Sequence, residues 1–289
     1  MDEIYAITSK YDETYIRENL GSADQVIKFA GTFYKDTAEI YYCITRTKNT
    51  ERNPSGFSLD DAPILGLLVR VWKLLKEVIR YYEEDNAEVI GMMERPLLEG
   101  AITARFLMAS DASVIADYRK CSYKDRLRIL RELKGGSEFF NTKAGQRLVA
   151  SVEEKLALEG FTEEDFKAQK QNRWRLQGLT FYDIFHKVVG GHLYPSSYGM
   201  MSDSVHGSWN DSLDFDLVRK DDNTFSAFPF YQPADIRYVS PLIGFCTPAY
   251  RQWLMRIDAY DGNLDQVLDW VDRVNAAVVE QFDLHFGLF

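Results

Sequence analysis

The chain's 289 residues suffice for one large domain or two small ones. Its 46% hydrophobic and 27% charged residues exclude general disorder. A formal net charge of −10 opposes any overall attraction to nucleic acid or anionic membrane and leaves open only a local basic groove.

A first helix is expected over residues 24–48. Asp24 can cap it, and Val26, Phe29, Ala30, Phe33, Ala38, Ile40, Tyr41 and Ile44 recur at helical spacing. Asn53-Pro54-Ser55-Gly56 then marks a loop. A second helix opens at Asp60-Asp61-Ala62-Pro63, with proline in its first turn, and runs to about Glu84. A third covers 87–109, with Pro96 inside it as a source of a kink. A fourth spans 113–133 and stops at Gly135-Gly136, and a fifth spans 144–159 and stops at Gly160. Thr162-Glu163-Glu164-Asp165 resembles a capping box that opens another helix, and a related segment covers 181–189.

Residues 195–209 read as one shorter helix. The texture then changes. Leu213 to Val218 alternates apolar and acidic residues, Lys220-Asp221-Asp222-Asn223 makes a turn, and 224–230 can return as a strand. Two long helices, 233–260 and 264–286, close the chain, with Pro241 and Pro248 expected to kink or split the first. The fold expected is all-α: a multi-helix bundle with a small β-hairpin or ordered loop near 213–230. Residues 1–58 read as an N-terminal helical extension, 59–232 as a central helical domain, and 233–289 as C-terminal helices packed on the same body. Tyrosine is abundant at 17 residues, and buried tyrosine hydroxyls need polar partners.

Cys43, Cys121 and Cys246 are too scattered for a disulfide framework or a metal knuckle and read as buried thiols. The four histidines show no metal-ligand spacing, so no metal and no cofactor are expected. No run reaches the roughly 18 apolar residues of a membrane span. Met1-Asp2-Glu3-Ile4 lacks the features of a signal peptide. A cytoplasmic protein with no membrane partner is expected.

Two segments carry candidate chemistry. In the first, Arg95 and Glu99 are four residues apart among Met92, Met93, Leu97, Leu98 and Ile102. They fit an internal brace as well as a polar pocket. In the second, Tyr198, Ser202 and His206 fall at successive four-residue steps and share a helix face. His206 is the best general acid/base in the chain, with neighbouring hydroxyls to orient it. Equally, it can cap helix-terminal carbonyls ahead of Gly207. For nucleic acid, Arg126 and Arg128 lie in a basic run from Arg119 to Lys134, and Lys170 and Arg173 flank Trp174. Such residues can hold phosphates and stack a base, or form an ordinary solvated face.

Arg95-Pro96-Leu97-Leu98-Glu99, then Ala116-Asp117-Tyr118, Trp174, Tyr198, Ser202 and Val205-His206-Gly207-Ser208, resemble the bacterial helical family known as domain of unknown function 5677, over roughly residues 60–230. That family is distantly similar to the HEPN helical ribonucleases found among bacterial toxins and antiphage effectors. The resemblance implies a metal-independent ribonuclease, often completed as a homodimer, with RNA as partner. The usual HEPN signature places an arginine within a turn or two before the histidine. Here no arginine lies four to six residues before His206, and only Arg95, on another helix, can take that place. Two other functions fit the same residues. One is a non-catalytic helical binding protein that meets a protein partner or a second copy through Phe282, Phe286, Leu288 and Phe289. The other is a protein that grips a small anionic ligand or nucleotide with Arg95.

Overall fold

The computed structural model describes residues 2–123, 135–136, 138–166 and 175–286. It is mainly α-helical and carries one small two-stranded sheet among the described residues. The chain divides into two compact units, Met1–Ala109 with Ile184–Phe289, and Ser110–Asp183.

The first unit begins with two short helices, α1 (Asp2–Thr8) and α2 (Glu13–Asn19), and continues with α3 (Ala23–Arg46), α4 (Ala62–Glu83) and α5 (Ala87–Met108). The cap of α3 is Ser22, whose hydroxyl accepts from Gln25 N at 3.3 Å, while the Gln25 side chain reaches back to Gly21 N at 2.7 Å. Asp24, expected as the cap, falls in the first turn, where a carboxylate still suits the positive end of the helix. Pro63 stands at the start of α4, where its missing N–H is not needed. Asn86 caps α5 by accepting from Val89 N at 3.2 Å. Only three residues join α4 to α5, so the two pack as antiparallel neighbours.

The unit closes with α11 (Ser240–Arg256) and α12 (Gly262–Phe286). The helix expected from residue 233 starts instead at Ser240, after a 3₁₀ turn at Ile236–Tyr238. Pro241 therefore sits in a first turn, and Pro248 is the proline inside the helix. Helices α3, α4, α5, α11 and α12 surround the core. Two hydroxyl pairs fix the register of α3 on α11. Tyr34 OH meets Ser240 Oγ at 2.6 Å, and Tyr41 OH meets Thr247 Oγ1 at 2.7 Å. Both steps are seven residues in the same sense, so the two helices run in the same direction. Tyr250 OH donates to Leu68 O at 2.9 Å. The buried tyrosines thus have their partners, as packing against water-free surroundings demands.

Between α5 and α11 the chain forms α8 (Phe181–Val188), a π-helical turn (Pro195–Gly199), α9 (Met200–His206) and α10 (Trp209–Phe215). The single helix expected over 195–209 is thus divided. Gly207, at φ 58°, ends α9, because only glycine adopts the left-handed conformation freely. Ser208 then caps α10 by accepting from Asp211 N at 3.2 Å. Helix α10 absorbs Leu213 to Phe215, whose alternation suggested a strand. The hairpin is shorter, with β1 (Leu217–Arg219) antiparallel to β2 (Phe225–Ala227) and Val218 opposite Ser226.

The second unit contains α6 (Ala112–Cys121), α7 (Lys143–Glu159) and a small core of Tyr123, Val152, Leu156 and Phe166. Helix α7 ends at Gly160 in the left-handed conformation. Arg119 and Glu159 form a largely buried ion pair at 2.6 Å. Beyond the Thr162 segment, only a 3₁₀ turn at Glu163–Phe166 is described. No disulfide joins the three cysteines. Cys121 and Cys246 are buried, whereas Cys43 is half-buried rather than enclosed. No helix of the described residues is long and apolar enough to cross a membrane.

Candidate functional site

Helix α5 carries Arg95 and Glu99 one turn apart on a helix that is otherwise largely apolar. The π turn and α9 bring Tyr198, Ser202 and His206 against them. The π turn holds its widened hydrogen bond from Gly199 N to Tyr194 O at 3.0 Å. Behind it, Phe185 packs edge-on against Tyr194, with ring centres 5.3 Å apart, and Tyr194 lies 5.0 Å from Tyr198. This aromatic file supports the Tyr198 ring, which is 7% exposed.

Arg95 is the hub. Its Nε donates to Glu99 Oε1 at 3.1 Å, and its guanidinium lies 4.7 Å over the Tyr198 ring. Its Nη1 reaches Ser202 Oγ at 3.4 Å and His206 Nε2 at 3.0 Å. Tyr198 OH donates to the same Glu99 Oε1 at 2.6 Å. Ser202 Oγ donates to Tyr198 O at 2.9 Å, which leaves a lone pair for Arg95. Burial pulls against the Arg95 charge, but Glu99 and Tyr198 outweigh it and hold the guanidinium above its ordinary pKa. Burial, and then the Glu99 carboxylate, push Tyr198 well above the ordinary phenol, so its hydroxyl remains a donor.

An arginine can only donate, so in this contact His206 Nε2 is the acceptor. Gly207 N and Ser208 N both bond Asp203 O, and the imidazole turns to Arg95. Tyr198 and Ser202 reach Glu99 and Arg95, so they act on the guanidinium, and the guanidinium in turn orients the ring. His206 itself is exposed and can meet a ligand from solvent.

All five residues expected from the sequence therefore converge within the first unit. Arg126, Arg128, Lys170, Arg173 and Trp174, expected to meet nucleic acid, lie outside the described residues. Of their neighbours, Arg119 is committed to Glu159 and Lys120 lies 3.7 Å from Asp165. Among the described residues, no group of three histidine, cysteine or acidic side chains is placed to hold a metal ion.

Sequence reasoning missed Glu94. It lies beside Arg95 but points elsewhere, and burial raises its carboxyl to about 8. The signal was available, because Ile90, Gly91, Leu97 and Leu98, three and four residues away on either side, are all apolar or small, and all are buried.

Neither a curated protein nor a solved structure matches the chain. A family model described as a family of unknown function matches residues 61–225, more than half of the chain, from the start of α4 to the second strand of the hairpin. The chain belongs to that family, DUF5677.

Proposed function

We propose that the protein is a metal-independent endoribonuclease, with His206 as general base and Arg95 as the group that stabilises the phosphate. The observation that carries this reading is the 3.0 Å contact between Arg95 Nη1 and Nε2 of the exposed His206. A phosphate entering between them would exchange that contact for one to each group. His206 would take the proton from a ribose 2′-hydroxyl. The 2′-oxygen would bond to phosphorus and the bond from phosphorus to the 5′-oxygen would break, with the imidazolium returning the proton to the leaving oxygen. Arg95, held by Glu99, Tyr198 and Ser202, would meet the charge that grows on the non-bridging oxygens. The likeness to HEPN ribonucleases read from the sequence supports, as part of the same proposal, a role in toxin or antiphage systems and a homodimeric state.

The test is incubation of the protein and of His206→Ala with structured and single-stranded RNA in EDTA. Wild type should leave cyclic phosphate ends, and the variant should be slower by about 10² to 10⁴-fold. Equal cleavage by both, or none by wild type, would overturn the reading. The sharing of Glu99 Oε1 between Arg95 and Tyr198 also suits a second reading, a non-catalytic brace between α5 and α9. A brace predicts a lower melting temperature in the variant and no cleavage at all. A small-anion site at Arg95 predicts that inorganic phosphate or a nucleotide raises the melting temperature.

A further inference from the structure

On α5, away from the Arg95 cluster, a cavity of about 460 Å³ is walled by α5, the π turn, α9, α10 and the start of α11. That volume suits a small molecule. The α5–α9 wall is close-packed. A Cβ added to Gly91 would come within 2.9 Å of Ser204 Oγ, so the space is shaped before anything enters.

Glu94 lines this cavity and makes no hydrogen bond or ion pair with any described residue. Burial alone raises its carboxyl to about 8. Glu94 is half-buried, and a carboxyl that lines a cavity without a protein partner is placed to meet a ligand. The remaining charge on the wall decides what that is. Asp203, Asp211 and Asp214 also line the cavity. Among the described residues, the one cation of the lining is Arg237, and it is already gripped by Asp235, with Nε 3.0 Å from both carboxylate oxygens. The field inside is therefore negative, which repels anions and draws cations. Phe215, Tyr238 and Phe245 add aromatic surface, which suits both a cation and an apolar body.

We propose that this cavity binds an organic amine, with its protonated nitrogen against Glu94 and its apolar body against Tyr238 and Phe245. The three aspartates attract the cation to the mouth, and Glu94 ionises as the amine seats, releasing one proton. The site is separate from the Arg95 cluster and does not depend on RNA cleavage.

The experiment is calorimetry on the full chain with tryptamine and with its neutral analogue, indole-3-ethanol, at pH 7. Tryptamine should bind at least about tenfold more tightly than the alcohol. Runs in phosphate and in Tris should show release of about one proton per amine bound. Glu94→Gln, which keeps the shape and polarity of the protonated acid, should fold as wild type does and lose about tenfold or more in tryptamine affinity. His206→Ala should bind tryptamine as wild type does, which separates this site from the proposed nuclease. Equal affinity for amine and alcohol, undiminished tryptamine binding by Glu94→Gln, or no tryptamine binding by wild type would each overturn the proposal.

Discussion

Glu94 and Arg95 sit side by side on α5, and the fold treats their charges in opposite ways. Arg95 meets a carboxylate, a hydroxyl, an imidazole and an aromatic face, and its charge is reinforced despite partial burial. Glu94 is turned by one helical step, about 100°, towards a cavity that offers it no partner, and its charge is suppressed. A helix can thus carry a finished polar network and an unfinished one on adjacent residues. The finished network is a site if a substrate can exchange into it. The unfinished one is a site because something is missing from it.

The largest effect should come from dismantling the finished side. Arg95→Met keeps the length of the side chain and removes every hydrogen bond from it. RNA cleavage should fall by about 10² to 10³-fold, as when one charge-stabilising donor is lost. Arg95→Lys should do little better, since an ammonium cannot lie over the Tyr198 ring while bridging Glu99 and His206 in one plane. Initial cleavage rates check both variants. A rate near wild type in Arg95→Lys would show that only the positive charge matters, not the geometry.

The unfinished side should respond in the reverse sense. The Glu94 carboxyl is raised in the folded state from 4.5 to about 8, so between those values the folded protein holds a proton that the unfolded chain has lost. Stability contributed by that proton is complete below about pH 4.5 and is lost as pH rises towards 8. Glu94→Gln removes this dependence. The variant should match wild type near pH 4.5 and exceed it at pH 8 by a margin on the order of a few kcal/mol. Urea unfolding at several pH values measures the difference. Identical pH profiles would mean that Glu94 is solvated and that the contrast with Arg95 is lost.

A third variant manufactures an unfinished contact where none exists. Ser240→Ala would leave the Tyr34 hydroxyl, wholly enclosed, without its partner. The expected loss is about 1–3 kcal/mol in urea unfolding. Adding Tyr34→Phe removes the orphaned hydroxyl and should recover part of it. If the double variant is no more stable than the single, the hydroxyl pair is not what binds α3 to α11.

These contrasts also show what the sequence could disclose. Spacing placed Arg95 with Glu99, and Tyr198 with Ser202 and His206, because four-residue steps on a helix are local geometry. Joining the two sets required α5 to pack on α9, and no local pattern encodes that contact. The direction of the hydroxyls was equally hidden. Tyr198 and Ser202 were expected to orient the imidazole, and they bond Glu99 and Arg95 instead. The alternation from Leu213 to Val218 misled because Ser208 caps a helix just upstream, and that helix takes the first three of these residues. Glu94 was not singled out from its neighbours along the chain. Its neighbours along the helix, Ile90, Gly91, Leu97 and Leu98, pointed inward.

The smallest effect expected is the most specific to the finished network. Glu99→Gln keeps the oxygen that Arg95 and Tyr198 share but removes its charge. Glu99 is 39% exposed, so solvent already screens the ion pair, and stability should change by less than about 1 kcal/mol. The Tyr198 phenol should nevertheless titrate at lower pH than in wild type, because the carboxylate that raises it has gone, while burial keeps it above an ordinary tyrosine. NMR titration of ring-labelled tyrosine reads this directly. RNA cleavage should fall less than in Arg95→Met, because the guanidinium keeps its charge and loses only part of its anchoring. A fall as large as in Arg95→Met would mean that Glu99 does more than hold the arginine and takes part in the reaction itself.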